Sequence, residues 1–474
     1  MHPLSPSEQT RSESDSLGPV EIPAARYWGP QTQRCLELFD IGRPSFGWGR
    51  PVVHALGLVK RIAAEVNLGL GVLPLAAHLC DHLVQAAREV EQGGLDEQFP
   101  LGVFQTGSGT QTNMNANEVI AGRANELATG VRGGRDPVHP NDHVNLGQSS
   151  NDIVPTVMNV AVVAHLHQRL YGAVEALHAA LNDRADAFAD VVKVGRTHLQ
   201  DATPMTVGQE FEAWSAQLSQ AIDRVRAAEQ GVRALPVGGT AVGTGLNTHP
   251  EFGAQVTAAL AAQTGIPFRP ADNLLAATAA HDDLLALRGA LRSLAVVEHK
   301  IAGDIRWLAS GPNAGLGELL LPANEPGSSI MPGKVNPSQA EALQMVCARV
   351  VGNDAAALFA AAQPSLQLHV GKPLLAHCLL ESISLLAEAS ESFARHCVRG
   401  IQVDEHHLAD LVARDAMLAT ALAPHIGYDR AAQIVRTGRE RRITVRDAAL
   451  ASGQVSGADF DRWVDPRAMA RPRG

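Results

Sequence analysis

Apolar residues recur at steps of three and four over unusually long stretches of this chain. The most regular stretch runs from Thr278 to Ala309, where Leu287, Leu291, Leu294, Ile301, Ile305 and Leu308 trace one seam and only Glu298 interrupts it. Such spacing predicts a helix that packs along its whole length against others. Similar patterns cover Val154 to Phe188, Val207 to Leu235, Pro337 to Ala361 and Pro373 to Cys397. Each is far longer than the globular average of about 11 to 12 residues. From about Ile22 to Gly147 the pattern is broken into shorter helical pieces, among them "GLVKRIAAEVNLGL" and "AAHLCDHLVQAAREVEQ". Beyond Val403 it becomes a charged module of short helices. We therefore expect a mainly α chain in three segments: residues 1–148, mixed and mainly helical; 149–402, a central long-helix bundle; and 403–474, a small helical end. Ala-rich helices with apolar residues on more than one face need more neighbours than one chain supplies, so self-association is expected.

Composition sharpens this picture. Hydrophobic residues make up 45% of the 474 positions and aromatic ones only 4%, so Ala, Leu and Val must fill the interior, which suits closely packed helices. A formal charge of −10 argues against nucleic acid and anionic membranes as partners. Any anionic substrate must meet a locally positive pocket. The five cysteines, Cys35, Cys80, Cys347, Cys378 and Cys397, form no CxxC pair and read as buried thiols of a reduced, cytoplasmic protein. The opening "MHPLSPSEQTRSESDSLG" has neither the basic start nor the apolar run of a signal peptide or anchor. No apolar run approaches the ~20 residues that span a bilayer.

Four polar segments stand outside the long helices: "TGSGTQTNMNANE" (Thr106 to Glu118), "GQSSND" (Gly147 to Asp152), "GRTHLQDATPMT" (Gly195 to Thr206) and "GSSIMPGKVNP" (Gly327 to Pro337). Each is expected at or near a helix end, where free backbone N–H groups and the helix dipole favour an anion. Together they offer Ser108, Thr110, Asn113, Ser149, Ser150, Asn151, Thr197, His198, Lys334 and Asn336. Many neutral donors with one lysine suit small carboxylates. "GSSIMPGKV" does not meet the phosphate-loop pattern, because five residues separate Gly327 from Gly333 and Val335 follows the lysine. "GGTAVGTG", Gly238 to Gly245, follows a helix and lacks the strand context of a dinucleotide fold. In "HPNDH", Pro140 disfavours a regular helical pair of His139 and His143, and no third ligand is near, so no metal is expected. "DEHH", Asp404 to His407, reads as a helix start.

These motifs resemble the fumarase/aspartase superfamily. "GSSIMPGKVNP" looks like its signature, and "QFPLGVFQTGSGTQTNMNANEV", "HPNDHVN", "GQSSND", "GRTHLQDATP", "GGTAVGTGLNTHPEFG", "WLASGP" and "HIGYDRAA" follow in the family's order over nearly the whole chain. "HLQDATP", "GLNTHPEF" and "IGYDRAA" are similar to the iron-free class II fumarate hydratases; aspartate ammonia-lyase is the alternative. The resemblance implies a three-domain subunit, a homotetramer with a twenty-helix core, active sites built by loops of three subunits, and no cofactor. It also implies the tricarboxylic acid cycle reaction, reversible anti elimination of water from (S)-malate to fumarate through a carbanion that spreads its charge into a carboxylate. By the same resemblance Ser328 is the base, and Lys334 and Asn336 stabilise the dianion. His198, oriented by Glu341, handles the water. Ser108, Thr110, Ser149, Ser150, Asn151 and Thr197 hold the substrate carboxylates. A second anion site is implied at His139, Asn141 and Asp142; where relatives often carry a basic residue three positions before the histidine, this chain has Asp136, with Arg135 one step earlier.

Overall fold

The structure, a computed structural model, describes residues 9–471. The first eight residues of the opening segment lie outside this range. The chain is mainly helical, and every sheet among the described residues has two strands. Two strands, β1 (Thr10–Asp15) and β2 (Gly18–Pro23), form an antiparallel hairpin. Five helices follow: α1 (Pro30–Leu38), α2 (Arg50–Gly69), α3 (Ala77–Gln92), α4 (Thr110–Thr129) and α5 (Ser150–His165). A π-helical stretch, Leu166–Leu170, joins α5 to α6 (Tyr171–Ala187), so the predicted run from Val154 to Phe188 is one helical path. A second hairpin, β3 (Val192–Thr197) and β4 (Gln200–Thr206), leads into α7 (Val207–Val232). Then come α8 (Phe252–Thr264), α9 (Leu274–Ala279), α10 (Asp282–Leu308), α11 (Ser338–Ala361), α12 (Lys372–His396) and α13 (Glu405–Arg414). The long patterned stretch expected from Thr278 is divided: Ala280, extended at ψ 165°, ends α9, and the seam belongs to α10 alone. All six of its apolar seam residues are buried.

The chain forms two compact units. Among the described residues the first holds 9–171, 223–293 and 348–386; the second holds 172–222, 294–347 and 387–471. In the first unit Ile22, Trp28, Leu83, Val90, Val119, Ile120 and Val144 share a core. Helix α2 lies directly against α3 because Gly57 has no side chain; a Cβ there would stand 2.2 Å from the Glu91 nitrogen. The described part of the opening segment, from Gln9 on, is held by hydrogen bonds. Arg11 donates to the carbonyls of Pro23, Arg26 and Trp28 at 3.1, 2.6 and 2.7 Å, and Asp15 accepts from Leu17 N to close the turn. That signal is hard to read, since a two-stranded hairpin leaves only short alternation in sequence. Buried Glu118 on α4 accepts from Gly29 N, Gln31 N, Thr32 N and Thr32 Oγ1, and so satisfies the free N–H groups that open α1. Leaving them unpaired would cost about 1–3 kcal/mol apiece.

In the second unit the end of α10 buries Leu294, Ile301, Ile305 and Leu308. Glu298 is buried among them and accepts from Ser390 Oγ at 2.7 Å. The charged C-terminal stretch forms short helices around Leu418, Leu422, Ile434, Val445, Phe460 and Val464. Asp404 caps α13 by accepting from His407 N at 2.9 Å, as "DEHH" predicts. All five cysteines are buried free thiols.

Candidate active site

The first unit gathers two of the four polar segments at neighbouring helix starts. Gly109, at φ 77°, turns the chain into α4, and Gln105 Oε1 accepts from Thr112 N and Thr112 Oγ1 at 3.2 and 2.9 Å. Gly107 is required here by space: a Cβ would lie 1.5 Å from the Val370 carbonyl oxygen. Ser108 Oγ and Thr110 Oγ1 are 2.8 Å apart. One turn later Asn113 Nδ2 donates to Ser150 Oγ at 3.1 Å, which ties the start of α4 to the start of α5. Helix α5 opens with a capping box: Ser149 Oγ accepts from Asn151 N, and Asp152 Oδ1 accepts from Ser149 N. Ser108, Thr110, Ser149, Ser150 and Asn151 thus line two adjoining helix N-termini, where hydroxyls, amides and helix-start N–H groups come together, the type of arrangement that favours an anion.

The glycine-rich stretch discounted as a dinucleotide loop proves to be scaffold for this cradle. A two-residue strand, Ala234–Leu235, does precede it and pairs in parallel with Arg269–Pro270, contrary to the expected lack of a strand. Five of its backbone donors are nonetheless occupied. Gly238 N and Thr240 N donate to Asp152 Oδ2, both at 3.0 Å, and Gly239 N, Gly243 N and Gly245 N donate within the loop. Asn151 Nδ2 donates to Ala241 O at 2.8 Å. Asp152 therefore serves two backbone turns, and burial pushes its carboxyl upward while these N–H groups pull it back down.

The "HPND" turn lies in the same unit as a short π turn, Pro140–Val144. His139 Nδ1 accepts from Asn141 N and Asp142 N, both at 3.2 Å, and approaches Asp142 Oδ2 at 3.3 Å. The turn caps itself, and the neighbouring Arg135 donates to Ser14 O. Among the described residues no group of three or more His, Cys, Asp or Glu is placed to hold a metal ion.

In the second unit "GRTHLQDATPMT" forms most of the β3–β4 hairpin, and its last residue, Thr206, adjoins the start of α7, the helix end expected, where its Oγ1 accepts from Gln209 N at 3.1 Å. His198 and Leu199 make its two-residue turn with φ 58° each, the twist that matches paired strands. Thr197 and His198 stand exposed at the tip. The base is held by buried Lys193, which meets Glu210 and, at 2.9 Å, Glu318, while Arg196 reaches Glu318 at 2.5 Å. The "GSSIMPGKVNP" segment is a loop, as expected, leading into α11. Gly327 N donates to Lys334 O at 3.1 Å and Asn336 Nδ2 to Gly327 O at 2.5 Å, a close pairing that leaves no room for a Cβ at Gly327. Ser328 Oγ accepts from Ile330 N and Met331 N at 3.2 and 3.1 Å. Glu341, in the first turn of α11, pairs with Arg306 at 3.3 Å, not with His198. Among the described residues neither the His198 imidazole nor the Lys334 ammonium has a side-chain partner.

Sequence reasoning passed over Lys60, Asn145, Gln148 and Asp152, which support the cradle from beneath. One signal was present: Lys60, with Arg61 beside it, interrupts an apolar stretch of α2, as Glu298 interrupts the seam of α10.

Comparison with known proteins places the chain among lyases. Residues 18–352 match the lyase family, and residues 418–471 match the family described as the fumarase C C-terminus. The chain is 54% identical to the class II fumarate hydratase of Chromobacterium violaceum, over 98% of this chain and 100% of that one. It is 53% identical to the class II fumarate hydratase of Methylorubrum extorquens, over 98% of each. The crystal structure of class II fumarase from Schistosoma mansoni superposes with a TM-score of 0.96 at 43% identity, covering 98% of this chain and 100% of that one. Identity at this level over the full length, with every signature loop present and in order, means that the chain belongs to the lyase family and, within it, to the class II fumarate hydratases.

Proposed function

We propose that the chain catalyses reversible anti elimination of water from (S)-malate to give fumarate. The observation that carries this reading is the cradle of Ser108, Thr110, Asn113 and Ser150 at the adjoining starts of α4 and α5, a site for one carboxylate built from neutral donors and helix N-termini. Removing the proton beside the other carboxylate creates a dianion, and stabilising that charge dominates the barrier. Lys334 and Asn336 take this role. Ser328 is the base; the two N–H groups already donating to its oxygen favour the alkoxide over the hydroxyl. His198 handles the water with Glu341 supplied by another subunit, because within one chain Glu341 is turned to Arg306. Thr197 completes the carboxylate contacts. His139, Asn141 and Asp142 form a second anion site.

The active assembly is a homotetramer whose sites combine loops of three subunits. In support, α10 exposes Val296 and Trp307, and α11 exposes Met345, Val351, Leu358 and Phe359, the last at 72%. Long helices with large apolar side chains turned to solvent mark a surface that other chains cover. A cytoplasmic setting accords with five unpaired thiols.

The test is formation of fumarate from malate, followed by its ultraviolet absorbance with a chelator present, in parallel with aspartate. Fumarate from malate alone supports the hydratase. Fumarate from aspartate alone makes the chain an ammonia-lyase and overturns the proposal.

A further inference from the structure

We propose that Lys60 is a positioning residue that locks the carboxylate cradle in shape and places a positive charge behind it. The inference deepens the hydratase reading and rests on it. Lys60 sits on α2 with no exposure to solvent, between Val59, Ile62 and Ala63 of the core. Its ammonium donates to Asn145 Oδ1 at 3.0 Å and Gln148 Oε1 at 2.8 Å. Asn145 Oδ1 also accepts from Asn113 Nδ2 and Asn117 Nδ2 at 3.2 and 3.1 Å, while Asn145 Nδ2 donates to Gln148 O at 3.2 Å. Three donors thus converge on one amide oxygen. The same Asn113 nitrogen bonds Ser150 Oγ in the cradle, and its Oδ1, buried, has no partner. Lys60 therefore fixes which way the Asn113 amide faces, and through it the Ser150 hydroxyl.

Among the described residues no carboxylate touches the ammonium. A buried cation held only by neutral amides is costly, and a hydrophobic residue of similar size would pack there at lower cost. The cost falls when an anion occupies the cradle above it. The surrounding elements offer little other charge. Helix α8 has no titratable side chain. On α3, Glu91 is bound to Arg61 and Glu89 to Arg123, and Asp81 is exposed. On α4, Glu118 is bound at the start of α1, and in the π turn His139 pairs with Asp142 while His143 Nδ1 accepts from His139 N. On α5, His165 bonds Ser384, which leaves Asp152 as the charge that acts on Lys60. Burial outweighs Asp152 and pushes the ammonium down to about 7.

A dianion in the cradle draws the proton back, so affinity falls about tenfold for each unit by which binding raises the lysine's pKa, as pH climbs above about 7. The experiment measures KM and kcat for fumarate between about pH 6.5 and 8.5 in the assembled wild type, Lys60→Met and Lys60→Arg. In wild type KM should rise about tenfold across this range. Lys60→Met should show a high, flat KM with kcat reduced less than KM is raised, and Lys60→Arg, always charged, a flat KM. A KM slope that persists in Lys60→Met belongs to another group, such as His198, and overturns the proposal. Should neither variant fold, calorimetry of succinate binding to wild type in two buffers of different ionisation heat decides. Proton uptake near pH 8 is expected, and its absence overturns the proposal. Failure of wild type to turn over fumarate refutes the hydratase reading instead; turnover with a pH-independent KM refutes only the role of Lys60.

Discussion

Glu298 offers a stability measurement whose size follows from the fold. It occupies a seam position of α10 between Leu294 and Ile301, wholly buried, with Ser390 Oγ on one oxygen and no hydrogen-bond partner on the other. Burial pushes its carboxyl up to about 8 from 4.5, and the Ser390 hydrogen bond offsets only part of the rise. Because the folded-state pKa is raised, the native state holds its proton more tightly than the unfolded chain. The stability this contributes is complete below pH 4.5 and is lost as pH rises through about 8. In full the shift is worth about 5 kcal/mol, of which about 3–4 kcal/mol per chain is lost between pH 5 and pH 8. Replacing Glu298 with Leu completes the seam and removes the titration. The lost Ser390 hydrogen bond and any repacking cost do not vary with pH, so they shift the variant's curve without changing its slope. Urea unfolding at fixed protein concentration should therefore show the advantage of Glu298→Leu growing by about 3–4 kcal/mol per chain from pH 5 to pH 8. Glu298→Gln, which can keep a hydrogen bond to Ser390, should show the same slope with a different offset. Stability curves for wild type and both variants that run parallel across this range would falsify the reasoning.

Three further outcomes follow from the loops. Lys334→Ala should lower kcat about 10²–10³-fold, the loss seen when one transition-state donor is removed, with circular dichroism and oligomer size unchanged because the side chain is exposed; loss of assembly would make Lys334 structural. Gly107→Ala should yield an insoluble or strongly destabilised protein, since its Cβ would enter the Val370 carbonyl; a soluble variant with normal turnover contradicts the packing described. Co-refolding inactive Lys334→Ala with inactive His198→Asn at equal amounts should restore about a quarter of the wild-type activity if each site takes these residues from different subunits of a symmetric oligomer. No recovery in verified hybrids would mean that both come from one chain.

What the sequence disclosed follows from how each signal is written. Helical periodicity is local, so the bundle helices could be read within a few residues of their ends, and the seam of α10 with its one misfit was visible in full. The break at Ala280 was not, because Thr278 and the alanines around it suit a helix as well as its end. The loop residues were legible as a set of donors. Their supports were not, since Lys60 lies 85 positions from Asn145, and only the fold makes them neighbours. The hairpin that carries His198 also escaped, because its strands are short and its turn uses a histidine and a leucine at positive φ where Asn-Gly would have announced it.

Those misses share a cause that bears on how this enzyme handles charge. A chain with net charge −10 that binds a dianion must create positive potential without an exposed basic patch, which its own acidic surface would neutralise. In the site proposed above, the starts of α4 and α5 would supply part of it and a buried cation would add to it. Lys60 beneath the cradle and Lys193 with Arg196 beneath the hairpin are all withdrawn from solvent, the latter two balanced by Glu210 and Glu318. Balanced cations hold shape, while the unbalanced one adds field. Burial without a touching carboxylate pushes the Lys60 ammonium down to about 7, so on the proposed reading the pH dependence of substrate affinity is the measurement that reports on the charge beneath the loops.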